Sequence, residues 1–197
     1  MGQDRNNLIW VDLEMTGLDV TSSTIIEIAI IITDKDLTEL GRWPEEDTGQ
    51  AVYQPASVLR GIEDDSWVRK NLPGLLERVR SSSVDLAKAE EQALAFVSRY
   101  CPYPGENRKE GCPLAGNSIG QDRAFLRAYM PRLEQHTHYR NVDVSTVKEL
   151  VKRWYPDIQY RKREADEHGV PIRHDAMKDI EASIEELRFY RSKVFRS

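Results

Sequence analysis

The chain has no apolar run of membrane-spanning length. Its longest runs, such as residues 28–32, are strand-sized, whereas a bilayer crossing takes roughly 20 residues, so no membrane-embedded function is expected. Nothing at the start reads as a secretory leader or an Arg-rich transit peptide, and position 6 lacks the Ser or Thr that a Met-Gly myristoylation signal needs. The expectation is an intracellular protein. Cysteine is scarce: Cys101 and Cys112 are the only two. They are too few for a disulfide scaffold or a zinc site; their spacing could close one disulfide, but free thiols are expected in a reducing compartment. Positive charge is also short, with 28 Lys and Arg against 33 Asp and Glu and a formal net charge of −5. A protein that grips long nucleic acid neutralises many phosphates with a basic surface. An acidic chain suits a ligand with few phosphates, unless acid and base are segregated onto separate faces. Internal repeats and low-complexity tracts are absent.

Hydrophobic residues at 40% and charged residues at 31% of 197 are enough for one sizeable core. A single domain over 1–197 is expected, with 1–7 disordered or extended. The stretch Leu8-Ile9-Trp10-Val11-Asp12-Leu13-Glu14-Met15-Thr16-Gly17 reads as a buried strand ending in two acids one residue apart. Side chains alternate across a strand, so Asp12 and Glu14 share a face. There they repel each other and lose hydration unless a cation lies between them, and oxygen-only ligands suit Mg²⁺ or Mn²⁺. Taken alone, Asp-x-Glu is more often a pair of solvated acids.

Further acids supply the ligands such a site needs. Asp122 follows Gly116-Asn117-Ser118-Ile119-Gly120-Gln121, where a short strand breaks into a helix; by itself it reads as a helix-start acid favoured by the dipole. His174 and Asp179 lie in His174-Asp175-Ala176-Met177-Lys178-Asp179-Ile180, at the head of the last amphipathic helix. The set resembles the DEDDh 3′→5′ exonucleases, with Asp12 and Glu14 in the first motif, Asp122 in the second, and His174 and Asp179 in the third. More narrowly, Trp10-Val11-Asp12-Leu13-Glu14-Met15-Thr16-Gly17-Leu18, Gly116-Asn117-Ser118-Ile119, His138-Tyr139-Arg140 and Asp143-Val144-Ser145-Thr146 are similar to the oligoribonucleases. The resemblance runs from Leu8 to Phe195.

The resemblance implies an α/β, ribonuclease H-like fold: a mixed five-stranded sheet, its first three strands antiparallel, flanked by helices. It implies a 3′→5′ exoribonuclease that degrades very short single-stranded oligoribonucleotides to 5′-mononucleotides with two Mg²⁺ or Mn²⁺ ions. Asp12, Glu14, Asp122 and Asp179 would hold the metals and His174 would act as general base. Met15, Thr16, Leu18 and Trp67 are carried over as substrate contacts, although Trp67 read alone is a helix-packing residue. Ser118, Ser145 and Thr146 would seat a terminal 5′ phosphate, with helix capping as the plainer role of the last two. Tyr139 and Arg140 would complete the neighbouring site of a homodimer. Competing readings are a DEDDh enzyme acting on DNA or longer RNA ends, and a binding module that keeps the fold without catalysis. The stretches Cys112-Pro113-Leu114-Ala115-Gly116 and Trp154-Tyr155-Pro156 look closer to eukaryotic than bacterial relatives, which leaves cytosol and mitochondrion both open.

Periodicity places the remaining elements. Residues 24–33 read as a central strand broken only by Glu27, 51–54 as a third strand reached through a loop from Gly41 to Gly49, and 55–100 as mainly helical. A helix over 121–129, a strand at 142–144, a helix from Ser145 and a last helix over 176–194 follow. Residues 156–173 read as a polar loop in which Arg161-Lys162-Arg163 is a solvated surface or a rim near nucleic acid. Five residues on a regular helix turn through about 500°, leaving His174 and Asp179 about 140° apart. His174 is therefore expected on the loop before the helix.

Overall fold

The computed structural model describes residues 2–62, 66–161 and 175–195. At its centre lies β2 (Ile25–Thr33), buried along its whole length; a run of isoleucines without polar alternation is stable only when both faces are covered. It pairs antiparallel with β1 (Leu8–Met15), from Leu8 opposite Thr33 to Glu14 opposite Glu27, and antiparallel with β3 (Glu39–Trp43) on its other side. β5 (Leu114–Gly116) joins β1 in parallel, and β6 (Asn141–Asp143) joins β5 in parallel. The order β3-β2-β1-β5-β6 is the expected mixed sheet with an antiparallel opening.

Two details depart from the sequence reading. The sheet has six strands, not five, because β4 (Gln50–Ala51) pairs with β2 at Glu27 and Ile28, off the main path. The third strand of the meander is Glu39–Trp43, where Gly41 suggested a loop. Gly41 does not break the strand; it makes room for the Tyr100 ring, into which a Cβ at 41 would run.

Helices fill both faces. α4 (Leu86–Val97), α5 (Gly120–Tyr129) and α6 (Pro131–Gln135) cover one, where Ala93, Phe96, Phe125 and Leu126 meet Ile9, Val11 and Leu13. α7 (Val144–Trp154) and α8 (Ala176–Lys193) cover the other, where Val151, Met177, Ile180 and Ile184 meet Trp10, Ala29 and Ile31. The short helices α1 (Ala56–Arg60), α2 (Trp67–Asn71) and α3 (Pro73–Ser81) form a third cluster around Ile26, Leu59, Val68 and Val79. Odd and even residues of β1 thus serve different layers, and Asp12 and Glu14 continue the even row toward the start of α8.

The N-terminal segment is tied down: Asp4 donates its N–H, and Asn7 its side-chain amide, to the Tyr100 carbonyl. Cys101 and Cys112 are buried free thiols, as expected. Among the described residues, no helix is long and apolar enough to cross a membrane.

Candidate active site

β1 outruns its neighbour β5, and that difference in length builds the site. β5 ends at Gly116, level with Val11, so the Leu13 N–H has no strand partner and donates instead to Asp122 Oδ1 at 3.0 Å. Asp122, in the first turn of α5, is thereby fixed against the strand that carries Asp12 and Glu14. At the next residues a register shift between Glu14 and Met15 ends the regular pairing with β2; bulges of this kind re-aim side chains beside functional sites. From the opposite layer α8 enters, its N-terminus capped by Asp175 through the Lys178 N–H, and delivers Asp179 one turn later. Asp12, Glu14 and Asp179 each present a carboxylate oxygen within 4.8 Å of the others.

The electrostatics of this cluster are unfavourable as it stands. Burial, then the charges of Asp122, Asp179, Glu14 and Glu27, push the Asp12 carboxyl well above the usual carboxylate range. Burial, and after it chiefly Glu27, Asp179 and Asp122, raises Glu14 to about 8. Burial also lifts Asp122 to about 7, against the lowering effect of backbone hydrogen bonds from its own N–H and that of Leu13. Among the described residues no Lys or Arg forms an ion pair with Asp12 or Glu14. Partly buried acids with raised affinity for protons, set close together and offering only oxygen, fit a hard divalent cation.

Leu18 stands 78% exposed on the turn after β1, where its carbonyl accepts from the Gln121 side chain. Thr16 receives the Thr24 N–H on its hydroxyl, and Met15 packs against the core. Trp67 opens α2 and stands 53% exposed. Ser118, Ser145 and Thr146 do meet, around Asp143: its carboxylate accepts the Ser118 and Ser145 N–H groups (3.0 and 3.1 Å) and the Thr146 hydroxyl (2.9 Å). Ser118 adopts a left-handed backbone, φ +52°, a strained conformation for a residue with a Cβ. Tyr139, 45% exposed, stacks on His138 and lies under the Arg140 guanidinium. His174 lies outside the described residues, as do Lys162 and Arg163 of the basic triplet; Arg161 is exposed.

Three residues in or around the site were missed by the sequence reading. Asp143 caps α7 and occupies the middle of the Ser118-Ser145-Thr146 group. Arg123, buried beside Asp122, donates to Glu134 Oε1, to Asn141 Oδ1 and to the carbonyls of His138 and Tyr139, which sets the turn carrying Tyr139 and Arg140. Glu27 is wholly buried opposite Glu14. Its only sequence signal was a lone acid in an isoleucine run.

Comparison with known proteins follows the same lines. Residues 9–187 match the RNase_T family, described as exonuclease. The oligoribonuclease of Shewanella oneidensis is 46% identical over 198 residues, covering 100% of this chain and 99% of that protein. The oligoribonuclease of Dichelobacter nodosus is 47% identical over 193 residues, covering 97% and 96%. Among solved structures, the moderately thermophilic exonuclease I of Methylocaldum szegediense superposes with a TM-score of 0.63 at 18% identity. E. coli exonuclease I in complex with a 5cy-dT13 oligonucleotide gives 0.61 at 16%. The chain covers 95% and 97% of itself in these matches but spans only 41% and 42% of those exonuclease I chains, so they establish the ribonuclease H-like fold alone.

Proposed function

Because the chain belongs to the oligoribonuclease family of RNase_T exonucleases, we propose that it is a 3′→5′ exoribonuclease that hydrolyses the phosphodiester bonds of very short oligoribonucleotides and releases 5′-mononucleotides. The observation that carries this reading is the convergence of Asp12, Glu14 and Asp179, from two layers of the fold, on one point beside Asp122.

In this reading Asp12, Glu14 and Asp179 hold divalent metal, with Asp122 as a further ligand directly or through water, and the all-oxygen set suits two Mg²⁺ or Mn²⁺ ions. Bound there, the ions would lower the pKa of the attacking water and offset charge on the leaving 3′ oxygen. His174 takes the proton of that water; its reference pKa of about 6.5 suits a base near neutral pH. Leu18 and Trp67 press on bases, with Met15 and Thr16 lining the approach. The Ser118, Ser145 and Thr146 group receives the 5′ phosphate and so measures a very short strand. Tyr139 and Arg140, held outward by Arg123, contact the substrate of a second copy: tyrosine stacks on a base and arginine pairs with a phosphate. The acidic net charge agrees with a substrate of few phosphates. A single domain over 1–197 in an intracellular compartment completes the proposal.

The deciding experiment is turnover of RNA and DNA dinucleotides and of a long single strand, with Mg²⁺ and with chelator. RNA dinucleotides should be cleaved fastest, and chelation should stop release of mononucleotides. Faster cleavage of the long strand would assign the chain to another exonuclease class, and no cleavage of either would leave a binding module. Replacing His174 with Ala should slow turnover by about 10²-fold with metal binding retained; unchanged turnover removes it from the mechanism.

A further inference from the structure

A carboxylate at zero exposure is costly unless its oxygens are occupied, and the two groups that occupy Glu27 explain its place. Oε2 accepts the backbone N–H of Ala176, at the start of α8, at 3.1 Å. Oε1 accepts from Arg78 Nη1 of α3 at 2.8 Å, while the other Arg78 amino group reaches the Gly49 carbonyl. The first N–H groups of a helix have no partner within it, and its positive end favours an anion. Glu27 is therefore a peg between β2 and α8. It stands directly across the β1–β2 ladder from Glu14, and its partner Ala176 lies in the first turn of α8 just before Asp179, whose own N–H bonds to the Asp175 carbonyl. The pocket around the peg is close-fitting: a Cβ on Gly49 would come within 2.6 Å of Glu27 Cγ and 2.8 Å of its carboxyl carbon.

We propose that Glu27 is a positioning residue of the metal site: its buried carboxylate pins the start of α8 to β2 and so holds Asp179 at the distance from Asp12 and Glu14 that a shared cation requires. Glu27 takes no part in the chemistry. The inference rests on the metal-site reading above, and it differs from a merely structural role because Asp179 is the first site residue that a shift of α8 would carry away. Displacements of about 1 Å in a catalytic constellation can cost 10²-fold.

Two full-length variants test it. Glu27→Gln keeps the shape but puts an amide donor against either Ala176 or Arg78. Gly49→Ala leaves every charge in place and pushes the Glu27 side chain aside. Three quantities are measured: hydrogen exchange of the Ala176 amide without metal, Mn²⁺ binding to the free protein by electron paramagnetic resonance, and kcat and KM on a dinucleotide at saturating Mn²⁺. In both variants Ala176 exchange should quicken, Mn²⁺ binding weaken and kcat fall, each by about 10-fold, with KM within about twofold. Mn²⁺ binding and Ala176 exchange within twofold of the unsubstituted chain would overturn the proposal. So would an effect on Mn²⁺ in Glu27→Gln alone, which would make Glu27 a matter of charge, or loss of the fold in both variants, which would make it a folding residue. An unsubstituted chain that binds Mn²⁺ but cleaves no dinucleotide would defeat the proposed function and leave the exchange and Mn²⁺ results to decide Glu27.

Discussion

Asp12→Asn is expected to remove turnover by about 10³-fold or more and, at pH 9 without metal, to raise the melting temperature. The first effect follows from losing the carboxylate that lies within reach of Glu14, Asp179 and Asp122 together; metal stabilisation of transition-state charge amounts to several kcal/mol, at about 1.4 kcal/mol per tenfold in rate. The second follows because Asn is nearly isosteric and carries no charge at a position where burial, and after it the charges of Asp122, Asp179, Glu14 and Glu27, disfavours an ionised carboxylate. In a domain of this size each kcal/mol regained moves the melting point by about 2–4 °C. Saturating Mn²⁺ should invert the order, since a ligand at 100 times its dissociation constant stabilises by about 2.7 kcal/mol, and only the unsubstituted chain binds it well. A variant that keeps a tenth of the turnover, or gains as much stability from Mn²⁺, would show that Asp12 is not the centre of the site.

The metal-free protein should lose stability as pH rises from about 5 to 8, and divalent metal should bind more tightly over the same range. Glu14 titrates at about 8 in the fold against 4.5 as an ordinary side chain, and Asp122 at about 7 against 3.8. Between the two values of each group the folded chain carries more protons than the unfolded one, so the unfolding free energy falls with increasing pH. The carboxyls contribute least above the folded values, where the cluster is fully charged. Metal competes with those protons and affinity grows by up to about tenfold per pH unit for each proton displaced. Urea midpoints from pH 5 to 9, with chelator and with Mg²⁺, measure both slopes. Metal-free stability that increased from pH 6 to 8, or Mg²⁺ affinity indifferent to pH, would contradict the clustered-acid account.

The parts of the site that were legible before the fold are those whose geometry is local. Asp12 and Glu14 share a face because any strand alternates, and Asp122 and Asp179 sit in first turns because the capping and breaking residues lie beside them. Residues 39–43 were misread for the opposite reason. Gly41 carries no local hint that Tyr100, far along the chain, will lie on it. Asp143 lay within a recognised motif, yet its role as the shared acceptor for Ser118, Ser145 and Thr146 depends on β5 and β6 lying side by side. Arg123 is one residue from Asp122 but serves a turn built by residues 137–141.

Charge balance, strand and helix periods, and the ordered acids therefore came from the chain alone, since each depends on residues a few positions apart. Which carboxylates actually meet was decided by the packing of α5 and α8 on opposite layers and by β5 stopping short of Leu13. The assignment of Glu27 is the clearest case: its partners Arg78 and Ala176 are 51 and 149 residues away, and no local pattern encodes a hydrogen bond between a strand and a helix end that only the packing of α8 on the sheet brings together.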